Sequence, residues 1–477
     1  MNSLTQYDTL IIGAGPAGLS AALELKKQGR NPLILEKGDQ VGGLMRSPRW
    51  GDFILDLGRK ELYARFPEID EQWEGVLGED YGPYPHRVGS LYRGHIVEMS
   101  GRYRGQFRGM PLPWLVTGGI GMLAGWVRGA LRKPSNYKDF WYGRVGGPFA
   151  RILAQGYWEK FRGATWAAMP PPQSDPLGQD GGGFLGSVKK TFQMARRGGV
   201  SRQIAWRHPR CGTGQLFEGL ADQYLEMGGQ IAFDAEVTDL NLLPDGTVRV
   251  NWTHDGENHE RILNHVISSL PIEQLWAMLD PEEIPGGAPP PPGPESNRAV
   301  LLVYLFLKTP PSFEHAWLEV NDPDLHCGRV TNFAAFGGGM VPDGHSCLCV
   351  EYFCAGDNPI LSMSEDEQIE LAQSEMASVD LIDQKDLLGA HVLYMPRTNA
   401  AASWREQQSA HRSALFERVG TFKGIYHVNR PGADWASLAG IQAARAIASN
   451  DRTYFDRVAD PTRRQEDRIP AQAAAAE

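Results

Sequence analysis

The sequence predicts an α/β protein, with a parallel, helix-covered sheet gathered from separated stretches of chain and a second mixed sheet under a helical cap. Three observations carry this. Near the amino end, the apolar run Leu10 to Ile12 leads into Gly13-Ala14-Gly15-Pro16-Ala17-Gly18. A second apolar run, Leu33 to Leu35, closes on Glu36, 18 residues beyond Gly18. Far downstream, Arg298 to Lys308 and Cys347 to Phe353 have the length and side-chain content of strands in another sheet.

The first run is a strand, glycine turn and helix of the kind that holds a dinucleotide. Gly13 permits the tight turn, Gly15 lets the backbone approach a pyrophosphate, and Gly18 lets the helix pack on the strand. Pro16 and Ala17 occupy the helix start, where free N–H groups and the positive dipole end face the phosphates. Glu36 sits where a carboxylate accepts hydrogen bonds from ribose hydroxyls. After Lys37 come Gly42-Gly43-Leu44-Met45-Arg46, then the apolar stretch Phe53 to Leu57 and Gly58. Two residues without side chains so soon after the ribose acid suit a cofactor longer than NAD, with a ribityl chain beyond the pyrophosphate.

Composition narrows the class. A chain of 477 residues exceeds one ordinary core and predicts two domains. With 42% hydrophobic and 22% charged residues it reads as a globular protein, and a net charge of −10 disfavours nucleic acid or anionic membrane as the main partner. The five cysteines lack a C-x-x-C spacing, so neither a disulfide framework nor a zinc site is expected, and Cys347 and Cys349 read as buried small side chains. No metal-ligand spacing, Ser-His-Asp arrangement or Walker loop stands out. The amino terminus lacks the basic and apolar regions of a secretion signal, and a cytoplasmic location is expected. Pro111 to Leu131 is apolar for about the length of a short membrane span but holds four glycines before Arg128. It reads as a helix of the substrate domain, with membrane association the less favoured alternative.

Further elements follow in order. Gly147 to Lys160 is helical, and a helix opening near Arg210 runs through Tyr224. Gly228 to Phe233 is a strand continued by Ala235 to Leu240. Thr247 to Trp252 alternates as an edge strand after the Asp245-Gly246 turn. Val266 to Leu270 is a buried strand, Pro285 to Pro294 a linker, Gly424 to Asn429 a strand, and Ser437 to Ser449 the last helix. From Asp460 the tail is charged, then Ala-rich, and reads as disordered.

The Gly13–Gly18 motif with Glu36 and Gly42-Gly43 resembles the FAD signature of the glutathione-reductase-like flavoproteins, in the branch with amine oxidases, protoporphyrinogen oxidases and phytoene desaturases. Residues 200–270 look like that group's second FAD segment, also shared with UDP-galactopyranose-mutase-like flavoproteins, and there the strand carrying Val237 packs its backbone on adenine. Asp139 to Gly163 resembles the cap signature. Asp434-Trp435-Ala436-Ser437-Leu438-Ala439-Gly440 is similar to the closing flavin motif, whose helix start faces the ring and stabilises its reduced, anionic charge. The resemblance implies a discontinuous FAD-binding Rossmann domain (1–90, 205–275 and 415–455) and a substrate and cap domain (91–204 and 295–414). It also implies Asp434 as helix cap and ribityl or phosphate contact, although a plain helix cap fits the sequence equally.

The departures bear on chemistry. Where relatives carry Gly-Gly-His, this chain has Gly58-Arg59-Lys60. Either cation suits an anionic substrate or a reduced flavin, and Arg59 ranks first, with outward-facing side chains as the alternative. Arg329, Glu351, Tyr352, Tyr394 and Arg397 lie on the strands expected to line the pocket, Arg397 as a clamp for carboxylate or phosphate. Arg59, Arg397 and Tyr394 are the candidate catalytic residues. His427 is a candidate base, though a core histidine is the commoner case. The resemblance implies an FAD-dependent oxidoreductase that dehydrogenates a small molecule, amine-oxidase-like or desaturase-like, and the cap aromatics Trp141, Tyr142, Tyr157 and Trp158 lean towards a hydrophobic or ring-bearing one. Neither Gly118–Gly121 nor Gly181–Gly186 follows a strand, so oxygen, a quinone or a carrier is the expected oxidant rather than bound nicotinamide. A non-redox flavin mutase and a non-catalytic flavoprotein remain the rival classes.

Overall fold

The computed structural model describes residues 7–83, 87–99, 109–172, 207–279, 297–336, 338–400 and 405–459. The predicted linker at Pro285 to Pro294, the glycine run Gly181–Gly186 and the tail from Asp460 lie outside these residues.

Five parallel strands lie in the order Ile425–His427, His265–Ser268, Thr9–Ile12, Pro32–Leu35, Gln230–Ala232. Both faces of this sheet are covered, which is why its strands are nearly all apolar. Alternation sends Ile11, Ile34, Ile267 and Tyr426 towards the helices Pro16–Lys27, Gly214–Glu226 and Ala433–Ser449. Leu10, Ile12, Leu33, Leu35 and Val266 face the other way, onto a three-stranded antiparallel sheet of Glu236–Leu242, Val248–His254 and Glu257–Leu263. The nucleotide-binding half is therefore a three-layer sandwich.

Three sequence expectations are corrected here. Asp234, at φ +50, turns the chain, so Glu236–Leu242 leaves the parallel sheet instead of continuing Gln230–Ala232. The stretch expected as an edge strand, Val248–His254, is central, because a turn through Asp255 (φ +52) and Gly256 (φ +75) adds a third strand. The helix predicted from Ser437 begins four residues earlier, at Ala433, because Gly432 at φ +90 starts it, and a short helix, Thr453–Ala459, follows.

The second sheet has seven strands in the order Leu387–Ala400, Asn297–Leu307, Ser346–Ala355, Arg329–Asn332, Trp317–Val320, Val88–Tyr92, His95–Glu98. Its pairings are antiparallel except Trp317–Val320 with Val88–Tyr92. Leu301, Val303 and Leu305 pack against the helix Glu365–Ser378. Leu302, Tyr304 and Phe306 pack the other way, on Phe53, Leu55 and Leu57 from the first half. The strap from Phe53 to Lys60 thus lies against the second sheet.

The cap consists of the helices Leu112–Leu131 and Tyr137–Val145 and a continuous helical run, Gly147–Ala150, Arg151–Gln155 and Gly156–Arg162, whose middle part is a π turn. Lys160 pins it down, donating from Nζ to the backbone oxygens of Asp322 (2.9 Å) and Cys327 (3.0 Å). Among the described residues no helix is long and apolar enough to cross a membrane.

The strap is fastened by Asp56, which is fully buried. Its Oδ1 accepts from Ser47 Oγ (2.5 Å), Thr213 N (2.9 Å) and Thr213 Oγ1 (3.1 Å), and its Oδ2 faces His208 Nε2 at 2.9 Å. Burial alone would raise this carboxyl, but His208, Ser47 and Thr213 outweigh it and hold it below the ordinary range. Tyr304 Oη donates to the Asp56 backbone oxygen at 2.8 Å. Replacing Asp56 removes the buried partner of His208 Nε2, Ser47 Oγ and the Thr213 N–H, so Asp56→Ala should lower unfolding free energy by about 3–5 kcal/mol at neutral pH in urea titrations. The native pKa lies below the unfolded one, so the contribution is complete above about pH 4 and fades as pH falls through the native value. Asp56→Asn should therefore show a shallower acid limb than the parent protein.

Candidate functional site

The glycine turn has the predicted form. Gly13 adopts φ +94, and its N–H donates to Leu35 O at 2.8 Å. A Cβ on Gly18 would meet Gly13 O at 1.9 Å, so only glycine lets the helix start this close to the strand. Pro16 stands in the first turn of the helix, Gly15 is its N-cap, and no side chain caps it, which leaves its N–H groups directed outwards. Gly42 N donates to Ala14 O at 2.8 Å, and Gly43 comes to face Gly15, with a Cβ on Gly43 only 3.4 Å from Gly15 Cα. Two stretches of bare backbone thus meet at the open start of the helix, the candidate cofactor groove.

Other predicted cofactor residues surround it. Glu36 accepts from Ala14 N (2.7 Å) and Gly38 N (2.8 Å), one N–H on each carboxylate oxygen, which keeps acceptor capacity for sugar hydroxyls. Lys37 lies outward, paired with Glu236 at 2.6 Å. Leu44 is exposed, Arg46 donates to Gly43 O (2.9 Å), and Met45 O accepts from Thr213 Oγ1 (3.0 Å). Ala17 and Ser437 are buried where the helices Pro16–Lys27 and Ala433–Ser449 touch, and Ser437 Oγ donates to Pro16 O at 3.4 Å. Ala436 is buried in the same core. Val237 turns its side chain into the core beneath the parallel sheet.

Asp434 departs from expectation. It is not a cap but a residue of the first turn, and it is buried. Both its oxygens are taken by Arg65, at 2.7 Å from Nε and 2.6 Å from Nη2, with further bonds from Arg65 N (3.1 Å) and Trp435 N (2.8 Å). The glycines, the carboxylate and the two uncapped helix starts fit a dinucleotide longer than NAD.

A polar cluster forms where the strap meets the second sheet. Pairing across the strands sets Glu319 beside Arg329 and Arg329 beside Glu351 on one face. Arg329 Nη1 donates to Glu351 Oε2 at 2.9 Å, and Nη2 donates to the hydroxyl of Tyr157 from the cap. Glu351 Oε1 accepts from Thr331 Oγ1 and from Arg59 N, both at 3.0 Å. Gly58, at φ +71, lets the strap come this close, since a Cβ there would lie 3.1 Å from Leu302 Cδ2 and 3.2 Å from Glu351 Cδ. Lys60 is enclosed, and the charges acting on it are those of Glu351, Asp56, Arg329 and Arg46.

The electrostatics follow from burial. Lys60 is shifted down, first by burial, although Glu351 and Asp56 pull it back up. For Arg329 the downward pull of burial is outweighed by Glu351 and Tyr157, so it stays charged. Burial pushes Glu319 and Tyr157 up, against Arg329 in both cases.

The candidate catalytic residues fare unevenly. The Arg59 side chain forms a two-point pair with Glu61 (2.8 and 2.6 Å) and lies 4.2 Å from the Trp317 ring centroid, so its guanidinium is already engaged. Tyr394 pairs with Leu301, on the face turned to Glu365–Ser378, and is exposed there; strand parity takes it away from the cluster. Tyr352 faces the same side and donates to Glu375 Oε2 at 3.0 Å. The backbone of Arg397 belongs to Leu387–Ala400, but its side chain lies outside the described residues. His427 is pushed down to about 3, first by burial, and its Nε2–H donates to Leu270 O at 2.8 Å, which makes it a structural residue. Sequence reading ranked Lys60 second, counted Tyr157 only among the cap aromatics, and passed over Glu319 and Thr331.

Residues 11–65 match the NAD(P)-binding Rossmann-like domain family. Over 98 residues, a fifth of this chain and 20% of the relative, the sequence is 43% identical to the "Probable flavin-containing monoamine oxidase A" of Dictyostelium discoideum. Over 70 residues, 13% of this chain and 14% of the relative, it is 39% identical to a 1-hydroxycarotenoid 3,4-desaturase of a Flavobacterium species. The chain thus spans a fifth or less of the length of these curated relatives. The fold as a whole is similar to that of reduced UDP-galactopyranose mutase, with a TM-score of 0.71 and 17% identity over 95% of this chain and 99% of that one. The amino-terminal segment is thus similar to NAD(P)-binding Rossmann-like domains and to part of a flavin-containing oxidase and of a desaturase, and the overall fold is similar to that of UDP-galactopyranose mutase.

Proposed function

We propose that this protein is an FAD-dependent oxidoreductase that dehydrogenates a small organic substrate, in the manner of an amine oxidase or a desaturase. The observation that carries the reading is the candidate groove at the uncapped start of the helix Pro16–Lys27, where the bare backbones of Gly15 and Gly43 meet beside Glu36. The names of the matched relatives support it, one a flavin-containing oxidase and one a desaturase. Gly13, Gly15, Gly42, Gly43 and Glu36 would hold FAD, which when bound supplies the hydride acceptor.

The chain's own residues provide positioning and charge. Arg329, fixed between Glu351 and Tyr157, joins the cap to the second sheet. Lys60, whose ammonium is disfavoured by burial, is the residue best able to give or take a proton. Glu319 holds a proton more readily than an ordinary carboxyl and supplies a second polar contact.

Three outcomes test this. Anaerobic mixing of the flavin-loaded protein with metabolite pools should bleach the flavin absorbance with at least one pool. A flavin that turns over substrate only after prior reduction, with no oxidant consumed, would replace this reading with a mutase-type reaction. Gly15→Val should yield colourless protein, and full yellow cofactor in that variant would remove the groove from the argument. Lys60→Gln should keep fold and flavin content yet slow substrate-driven bleaching by roughly 10²-fold, with a changed pH profile; an unchanged rate and profile would exclude Lys60.

A further inference from the structure

The helix Leu112–Leu131 has two unlike faces. On one, glycines let it press onto its neighbours: a Cβ on Gly118 would lie 2.2 Å from Phe149, on Gly121 2.5 Å from Pro148, and on Gly125 2.1 Å from Tyr142 O. On the other, Leu112, Val116, Ile120, Leu123, Val127 and Leu131 recur every three or four residues, each between 53% and 78% exposed. Tight docking on the glycine side fixes the helix in this orientation, so the apolar ridge cannot turn inwards. A 20-residue helix makes the ridge about 30 Å long. Single exposed apolar residues are ordinary; six in line on one helix are not.

Charge says what meets this ridge. From Met110 to Lys138 the sequence has no Asp or Glu but has Arg128, Arg132, Lys133 and Lys138, in a chain whose net charge is −10. Arg128 pairs with Asp139 at 3.3 Å. Arg132 and Lys133, just past the end of the helix, are exposed and form no ion pair among the described residues. An aliphatic ridge with a basic end matches the acyl and phosphate layers of an anionic lipid surface. A second copy fits less well. The seam Val116, Ile120, Leu123, Val127 covers about two heptads, short of the three or four a coiled coil sustains.

We infer that this helix lies on the surface of an anionic lipid bilayer, without crossing it, and holds the protein there by its outer face. The sequence reading ranked membrane association second; the exposed ridge reverses that order. The test uses the full, flavin-loaded chain in flotation with vesicles of phosphatidylcholine alone and of phosphatidylcholine mixed with phosphatidylglycerol. The protein should float with the mixed vesicles, sink with the neutral ones, and be released by high salt. Ile120→Glu/Leu123→Glu should abolish flotation while flavin content and circular dichroism stay unchanged. Arg132→Ala/Lys133→Ala should weaken partitioning by roughly tenfold or more. Failure of the parent protein to float with either vesicle overturns the inference, as does unaltered flotation of the Ile120→Glu/Leu123→Glu variant. Equal capture by neutral vesicles overturns the anionic assignment. A dimer in sedimentation that the Ile120→Glu/Leu123→Glu variant splits, without vesicle capture, would assign the ridge to a second copy.

Discussion

A buried carboxylate joins the parts of this molecule. Asp56 lies on the strap between the two sheets and takes hydrogen bonds from Ser47, before it in the chain, and from Thr213, far after it, while His208 closes the other side. Those partners belong to different segments of the nucleotide half, and Tyr304 of the second sheet reaches the same residue's backbone. Removing one partner would leave several polar groups dry at once, which makes the hub cooperative. Its position also sets the next four residues, so the approach of Gly58, Arg59 and Lys60 to the second sheet follows from it.

The cluster beyond the strap is an alternation of charge written across strands. Glu319, Arg329 and Glu351 occupy neighbouring strands in register, and Arg329 pairs with Glu351. Buried charges are costly unless paired and hydrogen-bonded, and here Thr331, Tyr157 and the Arg59 N–H supply further bonds. Lys60 is the less compensated member, because its nearest cations, Arg329 and Arg46, oppose it as Glu351 and Asp56 support it. An imbalance of that kind is where proton transfer is most easily arranged.

Much of this was legible in the sequence, for physical reasons. Glycine spacing reports backbone geometry directly, and the φ of Gly13, the contact of Gly18 and the facing of Gly15 and Gly43 are local consequences of it. The apolar strands Thr9–Ile12, Pro32–Leu35 and Asn297–Leu307 were equally plain, since burial on both faces leaves little room for polar residues. Pairing was not legible. Arg329 finds Glu351 only because two strands align in one register, and it finds Tyr157 only because a helical run 172 residues earlier folds over the sheet. Alternation alone separates Tyr352 from Glu351, but the face of Tyr394 depends on a register that shifts at both ends of its strand. The start of the helix Ala433–Ser449 was misjudged because Gly432 begins it, and Asp434 answers to Arg65, a residue no local pattern connects with it.

The contact of Gly440 with Ala17 has a consequence of its own. A Cβ on Gly440 would lie 2.1 Å from Ala17 O, and Arg445 reaches Glu24 a turn or two further along, so the helices Pro16–Lys27 and Ala433–Ser449 run abreast in the same direction. Their like-signed ends therefore crowd together, and bringing them into register costs electrostatic work that burial must offset. A bridging anion would turn that mutual repulsion into shared attraction.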